Sequence, residues 1–172
     1  MTHEEIVKRG EYLVNLGGCN DCHSPKRMTE QGPVPDQSIL LSGHPANMPT
    51  PAIPAGLPDM NSWVGLCNVH MTTWVGPWGV SYTANLTPDP QTGLGMWTEQ
   101  NFIDAMHTGR HMGHPDGRMI LPPMPWQEIG MCTDDDLKAI FAYLQSLPAV
   151  PNLVPAPEPP VAQAAPSGTQ SN

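Results

Sequence analysis

The residues with the clearest chemical potential are Cys19-Asn20-Asp21-Cys22-His23: two thiols three positions apart, followed at once by an imidazole. On one helical turn this spacing sets both sulfurs on the same side. C-x-x-C-H is the spacing at which two cysteines bond covalently to the edge of a haem and the histidine ligates its iron. A plain C-x-x-C would also serve a redox dithiol or half of a zinc site. Zinc needs a second pair of ligands at similar spacing, whereas Cys67 and Cys132, the other two cysteines, stand alone. A thioredoxin-like dithiol belongs to a βαβ pattern, and none is visible. The motif points to haem c, and its single occurrence points to one haem.

His23 would fill one axial position of the iron, and the opposite face decides the chemistry. An open face admits peroxide or small ligands; a Met or His closes it and makes an electron carrier. Eleven methionines are present. Met124 stands out by its setting, Leu121-Pro122-Pro123-Met124-Pro125-Trp126. Proline locks φ and pushes the preceding residue to extended geometry, so a floppy thioether is carried on a stiff loop. Met119, Met112 and Met131 are the alternatives. His111 and His114 would give a bis-His iron, and His44 and His70 are weaker candidates. His23 also needs an acceptor for its second ring nitrogen, expected to be a backbone carbonyl near Gly32-Pro33. With Met124 bound no position is left for a substrate, so the chain is not expected to be an enzyme. A peroxidase or small-ligand site follows only if Met124 does not bind.

Several elements must hold these groups in place. Thr2 and Glu5 form a capping box, and Ile6, Gly10, Leu13 and Gly17 recur at helical spacing, predicting a helix over 2–17. Thr98, Phe102, Ile103, Met106 and Gly109 predict a second helix over 98–108. Over 134–147, Thr133 caps, Asp134, Asp135 and Asp136 favour the positive end of the dipole, and Leu137, Ile140, Phe141, Leu144 and Leu147 form one stripe. Residues 110–131 read as loop. Proline is abundant, 22 in 172 residues, against about 5% in ordinary chains. Residues 32–60 are too rich in it for a helix. Residues 63–84 hold Trp63, Trp74, Trp78 and Tyr82, with a short hairpin expected around Gly76-Pro77-Trp78-Gly79. That segment is expected to cover one side of the haem. Residues 149–172 read as a Pro-rich tail or linker without its own core, leaving 1–148 as the haem domain.

The formal charge of −9 argues against a nucleic-acid partner, which needs a basic face. Lys26 and Arg27, beside the haem motif, are placed to steer an acidic partner. No run of 18 apolar residues offers a membrane span. The chain opens in polar helix-forming residues, so it reads as a mature form whose leader or tether has been removed.

With these pieces in place the chain resembles class I c-type cytochromes over about residues 3–148. The likeness is carried by Arg9-Gly10-Glu11-Tyr12-Leu13-Val14, by Cys19-x-x-Cys22-His23, by Pro122-Pro123-Met124-Pro125-Trp126, and by the run from Leu137 to Pro148. It implies an all-α fold wrapped around one covalent haem, with a His23/Met124 axial pair. First and last helices would cross at a small residue, Gly10, and an aromatic, Phe141 or Tyr143. The stretch from Ala84-Asn85-Leu86-Thr87-Pro88-Asp89 to Gly95-Met96-Trp97 is similar to cytochrome domains that serve membrane-bound alcohol and aldehyde dehydrogenases. In those this loop lies by the haem, which implies Asn85, Trp97 and either Trp78 or Arg118 near the propionates. Such subunits usually carry several C-x-x-C-H motifs, and this sequence has one, with a longer insert over about 33–80.

The implied function is single-electron transfer between redox partners: a dehydrogenase, an oxidase or a respiratory complex. The alternative is a fixed haem subunit of such a complex. The implied location is the periplasm or the outer face of a bacterial membrane, since this kind of haem attachment is completed outside the cytoplasm. In an oxidising compartment free thiols tend to pair, so a Cys67–Cys132 disulfide is expected to tie the insert to the start of the last helix.

Overall fold

The computed structural model describes residues 1–58 and 61–160. Helix α1 spans His3–Leu16, and α2, Cys19–His23, follows after Gly17-Gly18. A hairpin of β1 (Lys26–Thr29) and β2 (Gly32–Pro35) comes next. The insert carries β3 (Leu66–Cys67), β4 (Thr73–Gly76) and β5 (Gly79–Tyr82) as one antiparallel sheet. Helix α3 (Glu99–Thr108), a 3-10 turn at His111–Gly113, short α4 (Trp126–Ile129) and α5 (Asp134–Ser146) complete the order.

The three long helices start where their caps stand. Thr2 accepts from the Glu5 amide while the Glu5 carboxylate accepts from the Thr2 amide at 2.7 Å. Thr98 and Asn101 repeat the arrangement at α3, and the Thr133 hydroxyl caps α5 through Asp136. Helices α1 and α5 pack across Gly10. A Cβ there would lie 1.9 Å from the Ala139 carbonyl oxygen and 2.8 Å from the Tyr143 Cβ. Only a residue without a side chain allows this approach, and Tyr143 is the aromatic at the crossing. Phe141 turns the other way, its ring 5.6 Å from that of Phe102. The core joins Val14 of α1, Phe102, Ile103 and Met106 of α3, and Leu137, Ile140 and Leu144 of α5, with Leu41 and Leu94 arriving from loops.

The architecture is mixed rather than all-α. Two small antiparallel sheets occupy the stretch between α2 and α3. Prolines deny this stretch a helix, yet its backbone polar groups still need partners, and hairpin pairing supplies them. The expected turn at Pro77-Trp78 closes β4 on β5, with Gly76 opposite Gly79. The first hairpin was not expected: Pro33 and Pro35 lie opposite Met28 and Lys26 in a two-stranded ribbon, where each strand is an edge that tolerates proline. The stretch expected to be loop over 110–131 contains the 3-10 turn and α4. No described helix is long and apolar enough to cross a membrane.

Beyond Pro148 the chain runs back over the insert as a strap. Glu158 exchanges both backbone hydrogen bonds with Val80 at 2.9 Å, and its carboxylate accepts from the Tyr82 hydroxyl at 2.5 Å. The strap has no core of its own but packs on one already built. The remainder of the expected tail, residues 161–172, lies outside the described residues.

Candidate functional site

Helix α2 is a single turn that presents the motif. Cys19 and Cys22 are both partly buried and both free thiols. Burial raises the thiol pKa of each; at Cys22 the Lys26 charge opposes this. His23 is almost fully buried. Its Nδ1 lies 2.8 Å from the Ala84 carbonyl oxygen. A carbonyl only accepts, so Nδ1 carries the proton and Nε2 is left as a bare lone pair. Burial, foremost, and then the Lys26 charge lower the His23 pKa against the Ala84 bond, which keeps the ring in the neutral form a metal requires.

The expected acceptor near Gly32-Pro33 is thus replaced by Ala84, 61 residues downstream. Two strands of loop make this contact. The Gly43 amide donates to the His23 carbonyl at 2.7 Å, the His44 amide to Thr83 at 2.9 Å, and the Leu86 amide to Leu41 at 2.8 Å. Residues 41–44 are therefore laced against 83–86, one carrying the backbone of His23 and the other its ring. Gly43 has φ +80°, and a Cβ there would stand 2.5 Å from the Thr83 carbonyl oxygen. Ser24, fully buried, accepts from the Leu41 amide at 2.9 Å and donates to Asn20 at 2.8 Å.

Lys26 does not project toward solvent. Its ammonium donates to the carbonyls of Asn20, Asp21 and Ser24 at 3.1, 2.8 and 2.6 Å, closing the C-terminal end of α2. Arg27 is exposed.

Met124 is half-buried and packs against the same apolar cluster as Cys19. Its loop is tied to the insert: the Trp78 indole donates to Ser81 at 3.2 Å, and Ser81 donates to the Pro122 carbonyl at 2.7 Å. A cavity of about 340 Å³ opens beside it, lined by Ile120, Pro122, Met124, Pro125 and Trp126 among others. Of the alternative ligands, Met119 and Met131 are exposed, and Met112 sits in the 3-10 turn. His111 and His114 are both exposed; the ring of His111 meets Trp97 edge-on at 5.2 Å. His44 is fully buried and its ring is engaged at both nitrogens, by Thr72 and Thr73 at 3.1 Å and by the Met48 carbonyl at 3.1 Å.

Trp97 is half-buried against the core. Arg118 is exposed and its guanidinium donates to Met119. Asn85 is buried, and its amide is committed to the chain itself. Its Nδ2 donates to the Val150 carbonyl at 2.8 Å and to Thr92 at 3.2 Å, while its Oδ1 accepts from the Thr87 amide and hydroxyl.

The expected Cys67–Cys132 disulfide is absent; both are free thiols. Cys67 is exposed on β3 and lies in electrostatic range of Cys22. Cys132 packs on the core after α4, in range of Arg9. The two belong to different neighbourhoods, because β3 pairs with β4 on the insert rather than reaching α5.

The donor set fits a covalent haem. Two free thiols precede an imidazole whose Nδ1 is held by the Ala84 carbonyl, and the Met124 thioether packs against the same apolar cluster as Cys19. Among the described residues there is no dithiol at the end of a strand in a βαβ unit, and no cluster of three or more His, Cys, Asp or Glu that would hold a metal ion.

No family model matches the chain. It is 31% identical over 141 residues to the gluconate 2-dehydrogenase cytochrome c subunit of Pantoea cypripedii, covering 82% of this chain and 23% of that protein. It is 29% identical over 140 residues to the cytochrome c subunit of the quinone alcohol dehydrogenase of Gluconobacter oxydans, covering 81% and 21%. It is 25% identical over 146 residues to a diheme c-type cytochrome of Cereibacter sphaeroides, covering 83% and 36%. The chain spans about a fifth of the length of the two dehydrogenase subunits.

Proposed function

We propose that this chain, which is a c-type cytochrome domain, passes single electrons through one haem held covalently by Cys19 and Cys22. His23 and Met124 are the axial ligands on this reading. The observation that carries it is the state of His23: Nδ1 is committed to Ala84 at 2.8 Å, so Nε2 alone is presented to a metal. Bound there, the haem would supply a one-electron iron couple whose potential follows axial ligand, hydrogen bonding and burial. The chain does the rest. Helix α2 presents the thiols, Ala84 orients the imidazole, and the Pro122–Pro125 loop holds Met124. Trp97 and Arg118 are the side chains we assign to the rim of the group. With both axial positions filled no site remains for a substrate, which makes the chain a carrier rather than an enzyme.

The likeness to dehydrogenase cytochrome subunits favours a haem domain that accepts electrons from a dehydrogenase, fixed within such a complex rather than diffusing. Covalent haem attachment and that kinship favour a location outside the bacterial cytoplasm. The single C-x-x-C-H supports one haem in this chain.

A pyridine haemochrome assay with the oxidised-state spectrum tests the reading. A c-type haemochrome and a Met-to-iron charge-transfer band are expected, the band vanishing in Met124→Ala with the haem still attached. A band that survives in Met124→Ala reassigns the ligand; the absence of covalent haem refutes the function.

A further inference from the structure

The strap after Pro148 reaches the support of His23 by two asparagines. Asn152 donates from Nδ2 to the carbonyls of Ser42 and His44 at 2.7 and 2.9 Å, and accepts from the Ala46 amide at 2.9 Å. Asn85, one residue past the carbonyl that holds His23, donates to the strap carbonyls of Val150 at 2.8 Å and Asn152 at 3.4 Å. The Thr92 hydroxyl accepts from the Asn152 amide at 3.0 Å, closing the third side. Each of the laced segments around His23, 41–44 and 83–86, is thus pinned from the same short stretch of strap, and both pins are buried or half-buried.

We infer that Asn152 and Asn85 are positioning residues for the proximal ligand, acting through the Ala84 carbonyl, and that the segment 150–152 belongs to the haem-binding frame. This rests on the proposed haem function. A carbonyl that accepts from Nδ1–H makes the imidazole a stronger donor at Nε2, which favours the ferric state. Loosening the pins lengthens or misdirects that bond and so raises the reduction potential. The Glu158 side chain bonds to Tyr82 and not to the laced segments; Glu158→Ala removes that bond and leaves the backbone bridge to Val80 in place.

The test is spectroelectrochemical titration of the holoprotein in Asn152→Ala, Asn152→Asp and Glu158→Ala. Asn152→Asp keeps the acceptor for Ala46 and removes both donors, so it decides the matter should Asn152→Ala fold poorly. The expected result is a shift of at least about threefold toward the reduced state, ~28 mV upward for one electron, in both Asn152 variants and none in Glu158→Ala. Exchange of the His23 Nδ1 proton, followed by NMR in the ferrous form, should speed up in the same two variants. Potentials within threefold of the parent in both, or an equal shift in Glu158→Ala, overturn the inference while leaving a haem-bearing chain intact. A parent chain without covalent haem instead sinks the functional reading, and this inference falls with it.

Discussion

Replacing Gly10 by alanine tests the crossing of α1 and α5, on which the helical half of the domain rests. The new Cβ would meet the Ala139 carbonyl oxygen at 1.9 Å and its carbon at 2.5 Å. Both are backbone atoms in the middle of α5, so no side chain can swing aside. The helices must part until the contact exceeds about 3 Å, a separation of ~1 Å along the whole interface. A gap of that size forfeits a quarter to a half of each dispersion contact it opens, and overpacked cores cost about 1–3 kcal/mol or more. The backbone clash puts Gly10→Ala near the top of that range. Against it stands the better helix propensity of alanine, worth about 1 kcal/mol. The expected net loss is about 2 kcal/mol. With a urea slope of about 2 kcal/mol per molar, the midpoint should fall by about 1 M in equilibrium unfolding of the apo chain. If Gly10→Ala unfolds at a higher urea concentration than the parent, propensity is the only term acting. The close approach of the two helices would then be refuted.

Two further outcomes are expected. Lys26→Met keeps the aliphatic stem and removes three donations to the end of α2; the lost charged hydrogen bonds should cost about 1–2 kcal/mol and lower the yield of covalently attached haem, read by haem staining after denaturing electrophoresis. An unchanged urea midpoint would show that the ammonium is solvated instead. The buried His44 ring has a pKa pushed down by burial, with His70 adding to the effect and the Met48 carbonyl opposing it. Its Nε2 must donate to that carbonyl, so Nδ1 accepts from the threonine hydroxyls. The unfolded chain therefore binds a proton at His44 more readily than the folded one. Stability should hold above the ordinary histidine range and fall as pH drops through about 6.5. Urea midpoints at pH 7.5 and 5.5 check this, and His44→Gln should flatten the dependence; an equal slope in parent and variant would assign it elsewhere.

What was legible in the sequence was local. The Thr2–Glu5 box, the Thr98 and Thr133 caps and the Gly109 stop each act within one turn, and their helices lie within a residue or two of the expected limits. The Pro77-Trp78 hairpin was legible for the same reason. The all-α expectation failed because prolines announce where a helix cannot be but not which strand will meet which. β1 and β2 pair through backbone groups that carry no residue signature. The acceptor for His23 was missed on similar grounds: a carbonyl belongs to every residue, and nothing about Ala84 marks it. The Cys67–Cys132 pairing was an argument from compartment chemistry, and the pairing of β3 with β4 sets the two apart. Asn85 was singled out for the propionates, and no residue pattern announced that its Nδ2 would meet Thr92, Val150 and Asn152 and its Oδ1 the Thr87 amide and hydroxyl.

The insert is more than a cover. Strand β5 ends at Tyr82, and the next two residues deliver the Thr83 carbonyl to His44 and the Ala84 carbonyl to His23. One residue earlier, Ser81 holds the Pro122 carbonyl of the Met124 loop at 2.7 Å. The two proposed axial ligands lie far apart in sequence, yet the supports of both leave one strand within four residues, Ser81 to Ala84. Pairing with β4 and the Val80–Glu158 bridge fix that strand on both edges, so neither support moves without the other. An α-only frame would have to position each ligand from a separate helix end. Here one short strand supports both proposed ligands, through Ala84 at His23 and through Ser81 at the Met124 loop.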